Sequence, residues 1–460
     1  LLAAVEGHLT EVNGRLQVLP VFEVNGDVDY STGNIDFPGS VVVKGVVRDG
    51  FEVRASENIT VNGTVEGAFL VAGGNITVVG GIRGVSKGKV EAKGNIAADF
   101  ADQATLFADG DILIKNAQLR RKAGLWNIAI EECVIRKITK QPIRGKAGKV
   151  IDAGGNLVTE PFVNTHLHLC KVYTLEMVGQ DALSSYHGGS MGGAMTAIEQ
   201  ASRVKDHYDE KWIIENVRKA CRLAQKYGNT HIRAFADTDT KAKLEGVKAL
   251  LKAREEFKGI VDLQVVAFPQ DGVQRDPGAE DYIRQAMELG ADVVGGIPWI
   301  EYTDADMQAH IDSMFALAKK FDKDVSMLID DAGDSGLRSL EMLAVKTIKE
   351  GWQGRVTAQH CRAMALYGEN YFRKLVALLK KAGIGLVADP HTGPLYARVR
   401  DLAAAGIPVA LGQDDIADAY YPFGRCNMLE IAFLAVHLMW MTSFADMELL
   451  YDMITTSAAK

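Results

Sequence analysis

Two histidines two positions apart, His166 and His168, are the residues of this sequence best suited to chemistry. They lie in the short apolar stretch 161–170, which has the composition of a β-strand. Because the side chains of a strand alternate between its two faces, both imidazoles would point the same way. Two neighbouring imidazoles on a rigid strand can hold one divalent metal ion. An isolated His-x-His motif is as readily a chance pair in a loop, so the rest of the chain has to decide.

Further polar residues follow the later strand-like stretches of the chain. They are Asp237, Gln270, Asp330, Asp331, His360, Asp414 and Asp415. Each has a structural explanation when it is considered alone. His360 would suit a hydrogen-bonded core position, Asp414 the cap of a turn, and Gln270 the end of a Pro-Gly turn. Three of the ten histidines of the chain nevertheless fall at strand ends, and together these residues favour a metal site.

Positioning these residues requires a scaffold, and after Cys170 the sequence alternates between strand-like and helix-like segments. The strand-like segments are 230–236, 262–268, 292–297, 324–329, 355–360, 383–388 and 408–412. Apolar residues at helical spacing mark 244–257, 282–289, 307–321, 340–348 and 371–382. With the His-x-His strand this makes about eight β/α units, which predicts an α/β fold, a closed (β/α)₈ barrel over 158–460. The alternative is an open doubly wound sheet, which is disfavoured because no Gly-x-Gly-x-x-Gly follows the first strand.

Residues 1 to about 115 have a different texture, rich in glycine and β-branched residues. The phrase Asn-Ile-Thr-Val at 58–61 returns at 75–78, and related phrases begin at Asn95 and Asp111. A spacing of about 16 to 20 residues is typical of one coil in a stacked repeat. One short strand with a glycine turn cannot bury its apolar face alone, whereas stacked units can. The pattern therefore predicts an N-terminal all-β solenoid, with a meandering antiparallel sheet as the alternative.

The composition narrows the classes of function. The chain has 460 residues, a formal charge of -8 and five scattered cysteines without a Cys-x-x-Cys pair. The charge argues against a nucleic-acid-binding surface, and the cysteines favour a reducing cytoplasm over a disulfide framework. The most apolar run, 428–441, contains Glu430 and His437. It predicts a buried helix and no membrane span.

The N-terminal segment resembles the polymer-forming β-helix region of the flagellar assembly protein A family. The residues that carry the resemblance are 39–45, 47–51, 63–67 and 73–76, and it extends over about 30–117. The resemblance implies a structural or assembly role for residues 1–115 and no chemistry there.

From about Asp111 to Lys460 the chain resembles the cytosine deaminase branch of the amidohydrolase superfamily, which includes N-isopropylammelide amidohydrolase. The matching motifs are Pro161-Phe-Val-x-x-His-Leu-His-Leu169, Ala267-Phe-Pro-Gln-Asp-Gly272, Arg355-Val-Thr-Ala-x-His360 and Gly412-x-Asp-Asp415. The resemblance implies a barrel with one divalent metal ion, zinc or iron, and a homo-oligomer. It implies hydrolytic removal of ammonia or an amine from a ring carbon of a small amino-substituted heterocycle of pyrimidine or triazine type. It further implies that strands in 111–157 belong to a small β-sandwich, which is incomplete here.

The resemblance also assigns roles residue by residue. His166 and His168 would bind the metal, and Asp414 would bind it and take a proton from the attacking water. His360 would orient that water or stabilise the charge of the intermediate. The substrate ring would be held by Gln270 and Asp415.

Two positions depart from the family pattern. The family has a histidine ligand on strand 5 with an acidic proton shuttle three residues later, which here correspond to Leu328 and Asp331. Because leucine cannot bind a metal, His360 or Asp330 is a candidate replacement ligand. Cys170 stands where an aspartate is usual and is expected to be a quiet buried residue. The alternative function is a scaffold or assembly protein whose barrel no longer catalyses.

Overall fold

The computed structural model divides the chain into two compact units, Leu1–Thr159 and Glu160–Lys460. The residues that it describes are 8–12, 15–85, 87–102, 104–108, 112–131, 134–143, 149–178 and 202–460. The division of the first unit near residue 115 stays a prediction.

Most of the first unit is a β-solenoid whose successive coils add strands to three parallel sheets. One sheet contains Val21–Val24, Ser40–Val43, Ile59–Val61, Ile76–Val78 and Ile96–Ala98. A second contains Ile35–Phe37, Glu52–Ala55, Phe69–Ala72, Lys89–Ala92 and Thr105–Ala108. The smallest contains Thr64–Glu66, Gly81–Arg83 and Ala101–Asp102. The parallel pairing confirms the predicted solenoid and excludes the antiparallel meander.

The repeated phrase of the sequence occupies the same place in each coil. Ile59, Ile76 and Ile96 pair in register and are buried in the solenoid core. The backbone N–H of Asn75 donates to the side-chain oxygen of Asn58 over 2.8 Å, and that of Asn95 donates to Asn75 over 2.8 Å. The asparagines thus bond one coil to the next, while the isoleucines exclude water between the sheets.

Two smaller sheets complete the first unit. His8–Val12 and Arg15–Leu19 form an antiparallel hairpin. A mixed sheet contains Ile112–Leu119, Lys122–Glu131, Val134–Thr139, Lys149–Asp152 and Leu157–Val158. This sheet exposes a set of large apolar residues, Leu125, Val134, Ile135, Ile138, Val150, Ile151 and Leu157. It supplies one layer, so its membership of a small β-sandwich stays a prediction.

Eight parallel strands, paired in the order of the chain, form the barrel of the second unit. They are Phe162–Leu167, Asn229–Asp237, Asp262–Phe268, Val293–Gly296, Asp324–Ile329, Val356–His360, Gly385–Ala388 and Val409–Leu411. A parallel bridge between Leu167 and Asp414 joins the first strand to the residues after the eighth. This bridge confirms the predicted (β/α)₈ barrel, because an open sheet would leave its first and last strands apart.

Helices surround the barrel. They are Leu175–Val178, Glu210–Lys226, Glu245–Glu256, Ala279–Leu289, Asp304–Phe321, Ser339–Glu350, Glu369–Ala382, Val399–Ala404, Met428–Leu438 and Phe444–Met453, with 3₁₀ turns at Pro298–Ile300 and Arg362–Leu366. Asp304–Phe321 begins three residues before the apolar spacing predicts, because its first turn is polar and is capped by the Thr303 side chain.

The apolar helix Met428–Leu438 differs from its prediction. It buries Ile431 and Ala435 against the barrel, while Phe433 is 63% exposed and Leu438 is 45% exposed. The prediction of a buried helix is therefore wrong for one of its faces. No helix in the described ranges combines the length and the apolar character needed to cross a membrane.

Candidate metal centre and substrate cavity

Four buried side chains converge at the carboxyl ends of the barrel strands. They come from the first strand and its end, the sixth strand, and the residues after the eighth strand: His166, His168, His360 and Asp414. One ligand atom from each lies within 4.8 Å of the other three. Asp414 Oδ1 is 3.1 Å from His166 Nε2 and 3.8 Å from the Nε2 atoms of both His168 and His360. Three imidazoles and one carboxylate around one point can hold a divalent metal ion.

Two backbone hydrogen bonds hold the chain segments of the cluster together. Asp414 N donates to the carbonyl of His166 over 2.9 Å, and His168 N donates to the carbonyl of Asp414 over 2.8 Å. Gly412 allows this approach, because a Cβ there would lie 2.6 Å from His166 Cβ. His360 and Asp414 have φ values of 64° and 65°, in the left-handed region that non-glycine residues avoid. Such strain is typical of positions where function fixes a side chain.

The charge states of His168 and Asp414 suit a cation. Burial and the Lys171 charge lower the pKa of His168 well below its usual value, which leaves a neutral imidazole. Burial alone would raise the pKa of Asp414, but His360 and His166 hold it well below the usual range, as a carboxylate. Neutral imidazole and carboxylate are the ligand forms that zinc and ferrous iron bind. The residues present therefore fit the metal that the sequence predicts.

His360 carries a second set of contacts. Burial alone would lower its pKa, but the carboxylates of Asp331, Asp414 and Asp389 raise it to about 9. Its Nδ1 lies 3.2 Å from Asp389 Oδ2 and 4.0 Å from Asp331 Oδ1. The imidazole thus lies between the metal cluster on one side and carboxylates on the other. A protonated His360 suits the charge-stabilising role, whereas the ligand role requires the loss of that proton.

The fifth strand contributes differently from its family pattern. Leu328 is 3% exposed and packs in the apolar cluster that contains Phe235 and Phe268. The Asp330 carboxylate accepts from Ser339 N, Leu340 N and Tyr367 Oη at 2.9, 3.2 and 2.7 Å, and so caps the helix Ser339–Glu350. The structure does not bring Asp330 to the metal cluster, since its φ of 45° turns the carboxylate toward that helix.

Arg362 and Thr392 are site residues that the sequence reasoning missed. Arg362 is 1% exposed, and its Nη1 lies 3.0 Å from Asp331 Oδ1. Its Nη2 is 3.5 Å from Asp414 Oδ2, to which Thr392 Oγ1 also donates over 2.7 Å. Asp389, which follows the seventh strand, was missed as well. The rule of polar residues at strand ends would have found Asp389, whereas Arg362 lies in a turn that the rule does not cover.

A cavity opens beside the cluster. Its polar lining is His168, Gln270, Asp331, His360, Asp414 and Asp415, and its apolar lining is Ile297, Trp299, Leu328 and Tyr420. All three predicted catalytic residues and both predicted substrate-binding residues therefore face one space. A cavity with apolar walls and a few convergent polar groups is the usual form of a small-molecule site.

Two other strand-end residues lie to one side of this cavity. The Asp237 carboxylate accepts from Tyr208 Oη over 2.9 Å and lies 3.7 Å from Lys171 Nζ. Cys170 Sγ accepts from Asp237 N at 3.4 Å, and burial raises the pKa of its thiol to about 12. Cys170 is therefore a protonated thiol outside the metal cluster. The loop 186–190, which follows the first strand in the sequence, lies outside the described residues.

Comparison with known proteins decides the family. The sequence profile of the Amidohydrolase family matches residues 149–460, more than half of the chain. This chain belongs to the amidohydrolase family. The profile described as the Flagellar Assembly Protein A beta solenoid domain matches residues 20–125, which confirms the resemblance of the N-terminal segment.

Three proteins are similar to this amidohydrolase over most of their own length. The N-isopropylammelide isopropyl amidohydrolase of Pseudomonas sp. (strain ADP) is 32% identical over 76% of this chain and 86% of its own length. The pterin deaminase of Rhizobium rhizogenes is 27% identical over 63% of this chain and 67% of its own. The crystal structure of 5-methylcytosine deaminase from Klebsiella pneumoniae liganded with phosphonocytosine is 32% identical, with a TM-score of 0.69, over 75% of this chain and 86% of that chain. This amidohydrolase is therefore an enzyme of the class that hydrolyses C–N bonds other than peptide bonds.

Proposed function

We propose that this amidohydrolase removes ammonia or an alkylamine from a ring carbon of a pyrimidine- or triazine-type heterocycle, with water as the nucleophile. One observation carries the proposal. The cluster of His166, His168, His360 and Asp414 opens into the cavity that also contains Gln270, Asp331 and Asp415. Metal-type ligands, proton carriers and ring-binding groups thus surround one space.

His166, His168 and Asp414 would hold the metal, with His360 as the fourth ligand in place of the missing strand-5 histidine. When bound, a zinc or ferrous ion would act as a Lewis acid that brings the pKa of water to near neutrality. Asp389 Oδ2 lies 3.2 Å from His360 Nδ1 and would hold the imidazole in place beside the metal.

The carboxylates would carry the protons of the reaction. Asp414 Oδ2 is fixed by Thr392 and Arg362, so Asp414 can accept a proton from the attacking water in a constant geometry. Burial raises the pKa of Asp331, which suits it to pass that proton to a ring nitrogen and the leaving amine. A C–O bond forms at the ring carbon, the C–N bond to the amine breaks, and the amine leaves with a proton from water.

The cavity walls would bind a flat ring. Trp299, Tyr420 and Leu328 offer apolar faces, while Gln270 and Asp415 offer hydrogen bonds to the ring edge. Burial and the neighbouring Asp414 and Asp418 raise the pKa of Asp415 well above its usual value, so Asp415 can donate to a ring nitrogen. The substrate would be a small amino-substituted heterocycle, as the names of the relatives indicate for those proteins.

Ammonia and amine release tests the proposal. Protein purified without chelators is incubated with cytosine, 5-methylcytosine, N-isopropylammelide and pterin, and its metal content is measured by elemental analysis. We expect release from at least one ring amine and about one Zn or Fe per chain. Bound metal without release from any ring amine would contradict the proposal.

Two observations favour a second function. Leu328 replaces a ligand histidine, and the solenoid profile covers residues 20–125, which together fit an assembly protein with an inactive barrel. Polymers formed by the full chain, visible in electron micrographs, together with absence of bound metal would favour this alternative.

We further propose a cytoplasmic homo-oligomer with a small-molecule substrate as its partner. The cytoplasmic assignment rests on the four described cysteines, which are buried and unpaired. The oligomer rests on the resemblance and on the exposed aromatic residues of the last two helices and the turn between them, Phe433, Trp440 and Phe444. Sedimentation of the purified chain tests it, and a monomer at every concentration would contradict it.

A further inference from the structure

Lys171 lies directly behind the substrate-binding candidate Gln270. Its Nζ donates to Gln270 Oε1 over 2.6 Å, and the lysine is only 5% exposed. Gln270 in turn is 4% exposed and faces the substrate cavity. The family resemblance assigns no role to Lys171, and the proposed hydrolysis does not involve it.

The position of Lys171 is fixed on several sides. Its Nζ is 3.7 Å from Asp237 Oδ1 and 4.9 Å from the centre of the Tyr420 ring. Asp237 is itself held by Tyr208 Oη at 2.9 Å. Burial alone would lower the pKa of Lys171, but the neighbouring Asp237 carboxylate raises it, so the group is an ammonium. The lysine is therefore a rigid cation with three N–H donors and no acceptor.

An ammonium partner decides which way the Gln270 amide faces. Only the amide oxygen can accept from Lys171, so the NH₂ group must occupy the other branch of the side chain. No hydrogen bond from that NH₂ to another group is present within the described part of the chain. At Gln270 the cavity therefore offers N–H donors to a bound ligand. The Asp331 carboxylate, which lines the same cavity, offers a hydrogen-bond acceptor.

We propose that Lys171 is a positioning residue that sets substrate specificity by fixing the Gln270 amide with its NH₂ toward the cavity. The inference rests on the proposed function and names its substrate class more closely. The heterocycle carries a hydrogen-bond acceptor, a carbonyl oxygen or an unprotonated ring nitrogen, on the edge that meets Gln270. A ring with an N–H donor on that edge binds more weakly, because its N–H would face the NH₂ group of Gln270 and neither group could accept a hydrogen bond.

Two probe rings separate these cases. Cytosine carries a carbonyl oxygen at C2 and an N–H at N1, where 2,4-diaminopyrimidine carries an amine and an unprotonated ring nitrogen. The two rings share the 4-amino group and the remaining ring atoms. Binding is measured by calorimetry on the metal-loaded full chain, at a pH where both rings are neutral. We expect the wild type to bind cytosine at least about tenfold more tightly. In Lys171→Met the amide is free to turn, so this preference should fall about tenfold.

Control variants isolate the effect. Arg233→Met removes a half-buried cation at the opposite ends of the strands, where it donates to Gln264 and Thr357, and should leave the preference unchanged. Gln270→Ala should abolish the preference, and Lys171→Met added to Gln270→Ala should change it no further, because the lysine acts through the amide. A further loss in the double variant would contradict the proposed route.

Gln270→Glu covers the case in which Lys171→Met fails to fold. The new carboxylate would pair with Lys171 and offer no N–H to the cavity, so the preference should shift toward 2,4-diaminopyrimidine. A cytosine preference unchanged in Lys171→Met or in Gln270→Glu would overturn the inference. Absence of amine release from every ring, with the binding preference intact, would contradict the proposed function alone.

Discussion

The solenoid and the barrel are both built on parallel strands, yet they use their sequences in opposite ways. In the solenoid the same residue type returns at the same place, as Ile59, Ile76 and Ile96 do in its core. At the rim of the barrel the strand ends bring unlike polar groups together, such as His360 and Asp414. Repetition produces stacking and a uniform core, whereas chemistry needs unlike groups brought to one point.

The solenoid and the barrel also differ in where strained backbone conformations occur. The non-glycine residues with left-handed backbone at the barrel rim include Asp330, His360, Cys361 and Asp414. Within the described coils of the solenoid, tight approaches are met by glycines such as Gly63, where a Cβ would lie 2.5 Å from the Gly45 carbonyl oxygen. At the rim positions with left-handed backbone the side chain is retained despite its strain, as is typical of functional positions.

The largest expected effect comes from the rim. His168→Ala removes an imidazole that no neighbour can replace, so metal content and turnover should fall by at least about a thousandfold. Circular dichroism and thermal unfolding should show an intact fold. His231→Ala is the matched control, because that histidine is more than half exposed and lies outside the cluster. Retained turnover in His168→Ala would refute its role.

Removing one core side chain tests the solenoid. Ile76→Ala leaves a cavity between coils and should reduce the free energy of unfolding of the solenoid by about 2 to 5 kcal/mol. Metal content should not change. Thermal unfolding followed by hydrogen exchange measures the loss, with the exposed Thr77→Ala as control. A loss below about 0.5 kcal/mol would mean that the stacked isoleucines do not carry the core.

Asp330→Ala tests whether the two neighbouring aspartates of strand 5 have separate roles. The variant should lose about 1 to 3 kcal/mol of stability, because it removes the cap of the helix Ser339–Glu350 and leaves donors unpaired. Metal affinity should stay at the wild-type value. Calorimetric metal titration checks this, and a weakened affinity would show that Asp330 binds the metal after all.

Leu328→His restores the histidine of the family pattern. If His360 is an imperfect fourth ligand, metal affinity should rise about tenfold. Leu328→Met is the control for altered packing in the apolar cluster around Phe235. An unchanged metal dissociation constant would mean that His360 already fills the ligand position.

The smallest effect is expected for the asparagine row. Asn75→Ala removes the acceptor of the Asn95 backbone N–H and should cost about 1 kcal/mol, measured by denaturant unfolding. Asn75→Asp retains an acceptor and serves as the control. Equal stability of the alanine variant and the wild type would show that water replaces this bond.

Much of this architecture could be predicted from the sequence, because periodicity reports burial directly. The strands Asp262–Phe268 and Asp324–Ile329 begin and end where the pattern predicts. The convergence of His166, His168, His360 and Asp414 followed from the rule that strand ends share one face of a barrel. The solenoid followed from a repeated phrase.

The remainder depends on contacts that no local pattern contains. Asp330 and Asp331 are adjacent, and only the backbone turn at Asp330 decides that the second one faces the cavity. Arg362 reaches Asp331 and Asp414 from a turn after the sixth strand. Lys171 faces Gln270 across 99 residues of sequence. These contacts join residues that are distant in sequence, and they form only when the barrel brings its strand ends together.

Metal occupancy with its ligand shell tests the central claim most directly. X-ray absorption at the zinc and iron edges, on protein purified without chelators, reports the metal and its neighbours together. We predict about one ion per chain, with a shell of two or three imidazoles and oxygen. Protein without bound metal after incubation with zinc or ferrous iron, or a shell that lacks imidazole, would contradict the account.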